Sequence, residues 1–136
     1  LIALDTSVVI AAFASWHEAH DRAAALLARR PRLPAHVILE TYSVLTRLPP
    51  PHRAAPDLVD RFLTASFPAA PLSLPGSAQR SLVALAAKSG LTGGAIYDLL
   101  VAATAKRAKA KLLTRDRRAV TVYEAAGVDF EFLDSA

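Results

Sequence analysis

Along the chain, short apolar runs alternate with longer stretches in which apolar residues recur every three or four positions. The runs at residues 1–4 (LIAL), 70–74 (APLSL), 111–114 (KLLT) and 129–133 (DFEFL) predict strands, with a weaker one at 32–34. The longer spacing predicts helices at residues 7–14, 17–30, 35–48, 57–66, 77–88, 95–109 and 117–126. The proline-rich stretch LPPPHRAAPD, residues 48–57, reads as a loop that ends one helix and starts the next. No repeat, low-complexity tract or linker divides the chain, so one domain over residues 1–136 is expected. Strands alternating with helices imply an α/β fold with a mainly parallel central sheet. Sites in such sheets form at the carboxyl ends of strands, so the polar residues just after each run matter most.

Composition narrows the class. With 53% hydrophobic and 21% charged residues the chain is globular. Charges and prolines break the apolar runs well short of the roughly 20 residues of a membrane span. No charged, apolar and cleavable segment opens the chain, so export is not expected and the cytoplasm is the expected location. With no methionine anywhere, the initiator is expected to lie outside the sequence. The absence of cysteine excludes disulfides and thiolate metal sites. The net charge of +4 is concentrated in one place. Residues 106–118, KRAKAKLLTRDRR, carry seven of the 16 basic residues and one of the 12 acids. Such a cluster suits a polyanionic partner, and it equally suits solvated helix ends, where cations are favoured.

Four acids stand out by position. Asp5 follows the first run directly and precedes Thr6, Ser7 and a helix; Asp116 repeats this after residues 111–114. Either one alone reads as a helix N-cap. If their strands are neighbours, a spacing of about 4.8 Å puts both within reach of one cation. Glu40 lies in the helical stretch AHVILETYSVLTRL, off the apolar stripe of Val37, Val44, Leu45 and Leu48, where Arg47 is the ordinary counter-charge. Asp98 is the hardest to explain away. It sits inside GGAIYDLLVAATA, and its helical neighbours Gly94, Ala95, Val101, Ala102 and Ala105 offer no side-chain donor. A carboxylate on such a face must be protonated, paired or metal-bound; Lys106 and Arg107, two turns away, are the nearest cations.

Taken together, the acids outweigh the separate explanations. His17, His20, His36 and His52 show no persuasive ligand spacing. An all-carboxylate site selects a hard divalent cation, Mg²⁺ or Mn²⁺. The cation would relieve the mutual repulsion of the acids.

At these residues the sequence resembles the PIN-domain ribonucleases, and within them the VapC-type toxins. LDTSVVIAAF resembles the opening strand and acid of that family, and PAHVILETYSVLTRL its second acid-bearing helix. LTGGAIYDLLVAATAKRAKAKLLTRD resembles the block with the third and fourth acids, and FEFL the closing strand. The resemblance implies an α/β/α sandwich and a Mg²⁺- or Mn²⁺-dependent endoribonuclease acting on tRNA or ribosomal RNA. It implies Asp5, Glu40, Asp98 and Asp116 as catalytic metal ligands, with Thr6, Ser7 or Thr114 contributing a hydroxyl. It further implies a VapB-type antitoxin covering the active-site groove, and a homodimer that joins a larger toxin–antitoxin assembly. Many relatives carry a further acid just after the position of Asp116, where this chain has Arg117 and Arg118. That departure favours one tightly held metal.

Hydrolysis by water would leave 5′-phosphate and 3′-hydroxyl ends. Arg115, Arg117 and Arg118 flank Asp116 and are candidates to hold RNA phosphates, with Lys106, Lys109 and Lys111 extending the path. Trp16 and Tyr97 are candidates for base stacking or for packing. Two other readings share the same residues: a housekeeping PIN nuclease in RNA processing, and a non-catalytic interaction module whose acids are caps and surface charges. A phosphotransfer domain with an aspartyl nucleophile fits less well, because Thr6-Ser7-Val8 follows Asp5 without further acids.

Overall fold

A computed structural model describes residues 1–135. Three short strands, β1 (Ile2–Leu4), β2 (Lys111–Thr114) and β3 (Phe130–Phe132), form a wholly parallel sheet in the order β1-β2-β3. Ala3 pairs with Leu112, and Leu113 with Glu131. On the free edge of β1, Ala3 bridges to Arg32, and beyond it Pro34 bridges to Leu72, both parallel. The predicted strands at 32–34 and 70–74 are therefore present only as single bridges. Proline explains this: Pro31, Pro34, Pro71 and Pro75 have no N–H to continue a ladder. The backbone bonds that do form run from the N–H of Leu4 to Arg32, Arg32 to Ile2, Leu72 to Leu33 and Ala35 to Leu72.

Across the whole sheet the order is Leu72, Pro34, β1, β2, β3. The chain leaves β1 toward one edge and returns to build β2 and β3 on the other side. The order therefore reverses between β1 and β2, and a crevice at the carboxyl ends of these two strands is where α/β sheets bind ligands.

The helices are α1 (Thr6–Phe13), α2 (His20–Ala25), α3 (Ala35–Arg47), α4 (Pro56–Ser66), α5 (Gly76–Ser89), α6 (Ala95–Arg107) and α7 (Arg117–Ala126). The helix expected over 17–30 is shorter. His17 Nδ1 accepts a bond from the Ala19 N–H, which holds the chain in a turn before α2. A 3₁₀ turn at Leu26–Arg29 then ends at Arg30, whose φ of 52° is left-handed. Gly90 and Gly127, both at φ 71°, close α5 and α7 where an L side chain would be strained. The resulting α/β sandwich is the architecture the alternating pattern predicts.

One main core joins Ala3 and Leu4 of β1, Val8 and Val9 of α1, Val37 and Leu45 of α3, Ala102 and Ala105 of α6, and Leu112 of β2. A smaller cluster of Ala86, Leu99 and Val122 ties α5, α6 and α7 together. Helix α6 touches α3, α5, α7 and β2. This accounts for its sequence, which is apolar around most of its circumference, because a helix with neighbours on several sides has no wide polar face. No helix among the described residues is long and apolar enough to cross a membrane.

Candidate active site

Asp5 stands where β1 ends and α1 begins, and it is buried. Its Oδ1 accepts from Ser7 Oγ and, at 3.3 Å, from the Val8 N–H, so it does cap α1. Its Oδ2 accepts from the Tyr123 hydroxyl at 2.9 Å. Burial pushes the Asp5 carboxyl up from the usual range, while the Ser7, Thr114 and Tyr123 hydroxyls and the Val8 N–H pull it back toward the charged form.

Asp116 holds the same place after β2. Its Oδ1 accepts from the Arg118 N–H at 3.0 Å and caps α7. The adjacent Thr114 is fully buried, and its Oγ1 accepts from the Asp116 N–H at 3.0 Å. Ser7 links the two strand ends, because its Oγ also accepts from the Arg115 N–H at 2.8 Å. Since β1 and β2 are paired neighbours, the two caps face one crevice. Cap and cluster are thus the same residues in the same conformation.

Asp98 projects from the first turn of α6, and Glu40 from the middle of α3, which α6 contacts directly. The Asp98 carboxyl is pushed up to about 6, first by burial and then by the charges of Asp116, Glu40 and Asp5, with Arg118 acting in the opposite sense. All four acids therefore act on one small region. Among the described residues, Asp98 makes no hydrogen bond or ion pair. Glu40 Oε2 lies 3.5 Å from His36 Nε2, one turn earlier, while Arg47 donates to Ser43 Oγ instead. The expected Glu40–Arg47 balance is replaced because position i−4 is on the same face and i+7 is a turn too far.

The raised Asp98 carboxyl has a measurable consequence. Its ordinary value is 3.8, so between about pH 4 and pH 6 the folded metal-free protein holds a proton that the unfolded chain has released. This contribution to stability is present below pH 4 and is lost as pH rises toward 6. The full shift corresponds to about 3 kcal/mol, and solvent screening of a half-buried group cuts this to about 1 kcal/mol. Urea titrations of metal-free Asp98→Asn at pH 7.5 should show it more stable than wild type by that amount, with the gap closing at pH 4. A gap independent of pH would contradict the assigned cause.

The family model for the PIN domain matches residues 2–125, nearly the whole of this architecture. The chain belongs to the PIN-domain family. Among curated proteins, Ribonuclease VapC40 of Mycobacterium tuberculosis, in strains CDC 1551 and H37Rv, is 51% identical over 133 residues, covering 98% of this chain and 99% of the relative. Ribonuclease VapC27 of Mycobacterium tuberculosis H37Rv is 46% identical over 128 residues, covering 93% of each. Within the family this PIN domain is of VapC type.

The donor chemistry of this PIN domain suits a hard divalent cation. Its crevice offers carboxylates with neither sulfur nor a histidine pair, and the buried Thr6 hydroxyl beside Asp5 has no hydrogen-bond partner. The acids are not closed into a cage, however. Among the described residues no three His, Cys, Asp or Glu side chains are drawn together tightly enough to hold an ion. Asp5, Asp116 and Glu40 are each engaged by neighbours, which leaves Asp98 as the open carboxylate.

Two residues of this site escaped the sequence reading. Tyr123 is 118 positions from Asp5, and nothing local marks it as more than core. His36 was legible in principle through its i, i+4 spacing from Glu40. It also stacks face to face on Tyr97, with ring centroids 4.9 Å apart and planes 3° from parallel, at the lip beside Asp98.

The fold divides the basic segment. Arg117 lies over the Phe132 ring at 4.1 Å, and the Arg118 side chain is almost fully exposed with Nε 3.8 Å from Asp116. With Arg115, Asp116 and Glu18 they line a cleft of about 450 Å³. Arg115 itself is largely enclosed, donating to the Leu133 carbonyl, Glu18 and Ser135. Lys106, Lys109 and Lys111 lie at the amino end of β2, where α6 ends. There Lys106 Nζ donates to the Ala126 carbonyl, Lys111 pairs with Glu131, and Lys109 turns the chain at φ 55°. The length of β2 thus separates these lysines from Arg117 and Arg118, which stand beside Asp116 at its carboxyl end. The Trp16 ring lies against that of His52, with centroids 4.1 Å apart and planes tilted by 31°.

Proposed function

We propose that this PIN domain is a divalent-metal-dependent endoribonuclease toxin that hydrolyses RNA phosphodiesters, with tRNA or ribosomal RNA as the substrate class. What supports the reading most is that the charges of Asp116, Glu40 and Asp5, each from a separate element, are felt at the half-buried Asp98 beside the reversal between β1 and β2. The ribonuclease names of the relatives agree with it.

Asp98 and Asp5 are assigned the direct contacts to Mg²⁺ or Mn²⁺, with Asp116 and Glu40 completing the site. When bound, the cation supplies positive charge for the phosphoryl oxygens and lowers the pKa of water. Asp98, whose charged form is disfavoured by burial and by the neighbouring acids, has the most to gain from that charge. Glu40, with His36 beside it, is placed to take a proton from the attacking water. Thr6, Ser7 and Thr114 supply or orient hydroxyls around Asp5. Arg117 and Arg118 occupy the rim where a second cation would need further acids, so one ion is assigned.

RNA phosphates are assigned to Arg117 and Arg118, the exposed cations beside the acids. Arg118→Ala should weaken RNA binding across sequences and lower the slope of log affinity against log salt by about one unit. Filter binding at a series of salt concentrations reads this directly. We place the protein in the cytoplasm as a homodimer, held inactive by a VapB-type antitoxin within a larger assembly.

The test is incubation of total cellular RNA with the purified chain in Mg²⁺, Mn²⁺ or EDTA, followed by end analysis. Discrete metal-dependent cuts with 5′-phosphate and 3′-hydroxyl ends are expected. Intact RNA together with no divalent-metal binding would return the protein to the interaction-module reading.

A further inference from the structure

The main core holds one polar group whose partner lies in the active site. Tyr123, on the inner face of α7, is 2% exposed, and its ring meets Phe130 edge-on at 5.9 Å. A buried tyrosine hydroxyl needs a partner, and this one donates to Asp5 Oδ2 at 2.9 Å. The other Asp5 oxygen is held locally by Ser7 and the Val8 N–H. Tyr123 is the hydrogen-bond donor to Oδ2 among the described residues. Without it, the carboxylate would be held through the Oδ1 bonds from Ser7 and the Val8 N–H and by the Thr114 hydroxyl, and Oδ2 would lose its direct donor from α7. The donor also ties α7, the helix that Asp116 caps, to the end of β1, a link between two of the four acids that adds to the Ser7 bond with the Arg115 N–H.

We infer that Tyr123 is a positioning residue for the cation site, its hydroxyl fixing the orientation of Asp5 while leaving the other lone pair of Oδ2 for a divalent ion. The inference rests on the metal-dependent reading above. Partners that orient ligating carboxylates typically set metal affinity by about 10- to 100-fold.

Tyr123→Phe removes the hydroxyl and keeps the ring. Calorimetric titration with Mn²⁺ should show affinity weakened by at least about tenfold. The Mn²⁺ concentration giving half-maximal RNA cleavage should rise by the same factor, with the rate at saturating metal restored to within a few-fold of wild type. Phe130→Leu, which disturbs the ring packing and keeps the hydroxyl, should lower the melting temperature and leave Mn²⁺ affinity unchanged. Unchanged Mn²⁺ affinity in Tyr123→Phe would overturn the inference and leave the hydroxyl as a satisfied core group. Should Tyr123→Phe fail to fold, the wild type carries the test. With ¹³C-labelled tyrosine, the Tyr123 ring resonance should follow Mg²⁺ with the midpoint of binding, and a resonance indifferent to bound Mg²⁺ would sink the idea. A wild type that binds neither ion would overturn this inference and the metal-dependent reading together. Binding by wild type with no effect of Tyr123 overturns this inference alone.

Discussion

Asp98→Asn should reduce the rate of RNA cleavage by roughly a hundred- to a thousandfold at saturating Mg²⁺, the range seen when one preorganised charge-stabilising group is removed from an active site. The substitution keeps the shape of the side chain and removes the charge. Asp98 makes no hydrogen bond or ion pair among the described residues, so no structural contact is lost. The same change relieves repulsion from Asp116, Glu40 and Asp5, so the metal-free variant should be more stable than wild type at neutral pH. Loss of activity together with gain of stability separates a functional carboxylate from a structural one. Single-turnover cleavage beside thermal unfolding decides the matter. Activity within tenfold of wild type would remove Asp98 from the site.

Leu112→Ala should destabilise the protein by about 3 kcal/mol, within the range for buried leucines truncated in a packed core. Leu112 is fully buried at the centre of β2, paired with Ala3 on one side and Phe130 on the other. The sheet is only a few residues deep, so little else is available to collapse into the cavity. For a chain of this length the loss corresponds to a fall in melting temperature of about 10 °C. Below that melting point, cleavage should stay within a few-fold of wild type, because the strand's hydrogen bonds still carry Asp116 to the crevice. A fall of less than 1 kcal/mol in urea unfolding would mean that β2 is not the centre of the core. The two variants thus act in opposite directions, one on chemistry with stability gained, the other on stability with chemistry retained.

Much of this molecule was legible without coordinates, for local reasons. Helices α3, α4, α6 and α7 lie within two residues of their expected ends, because periodicity, Pro56 and Gly127 act over a turn or two. Strand β2 is Lys111–Thr114, as its apolar run predicts. Asp5 and Asp116 are marked by what precedes and follows them, and Asp98 by the absence of any donor on its own helix face. The family resemblance, carried by those same stretches, agrees with the match over residues 2–125.

Other features depend on contacts between distant residues. Whether Asp5 and Asp116 share a crevice depended on β1 and β2 being neighbours, a choice of strand order that no local pattern encodes. The strands at 32–34 and 70–74 shrank to bridges because ladder bonds need N–H groups that proline lacks. Residues 106–118 look continuous in sequence, yet β2 runs through them and carries their cations to opposite ends of the strand. Tyr123 and Asp5 meet only because α7, packed on α6, carries Tyr123 back to the end of β1. The sequence by itself therefore determined the elements, their type and the four acids, since these follow from interactions a few residues apart. Only the tertiary structure decided which acids lie together, which cations stand beside them and which hydroxyl holds Asp5. Those relations are set by the packing of helices on a sheet whose strand order reverses, a property of the whole chain.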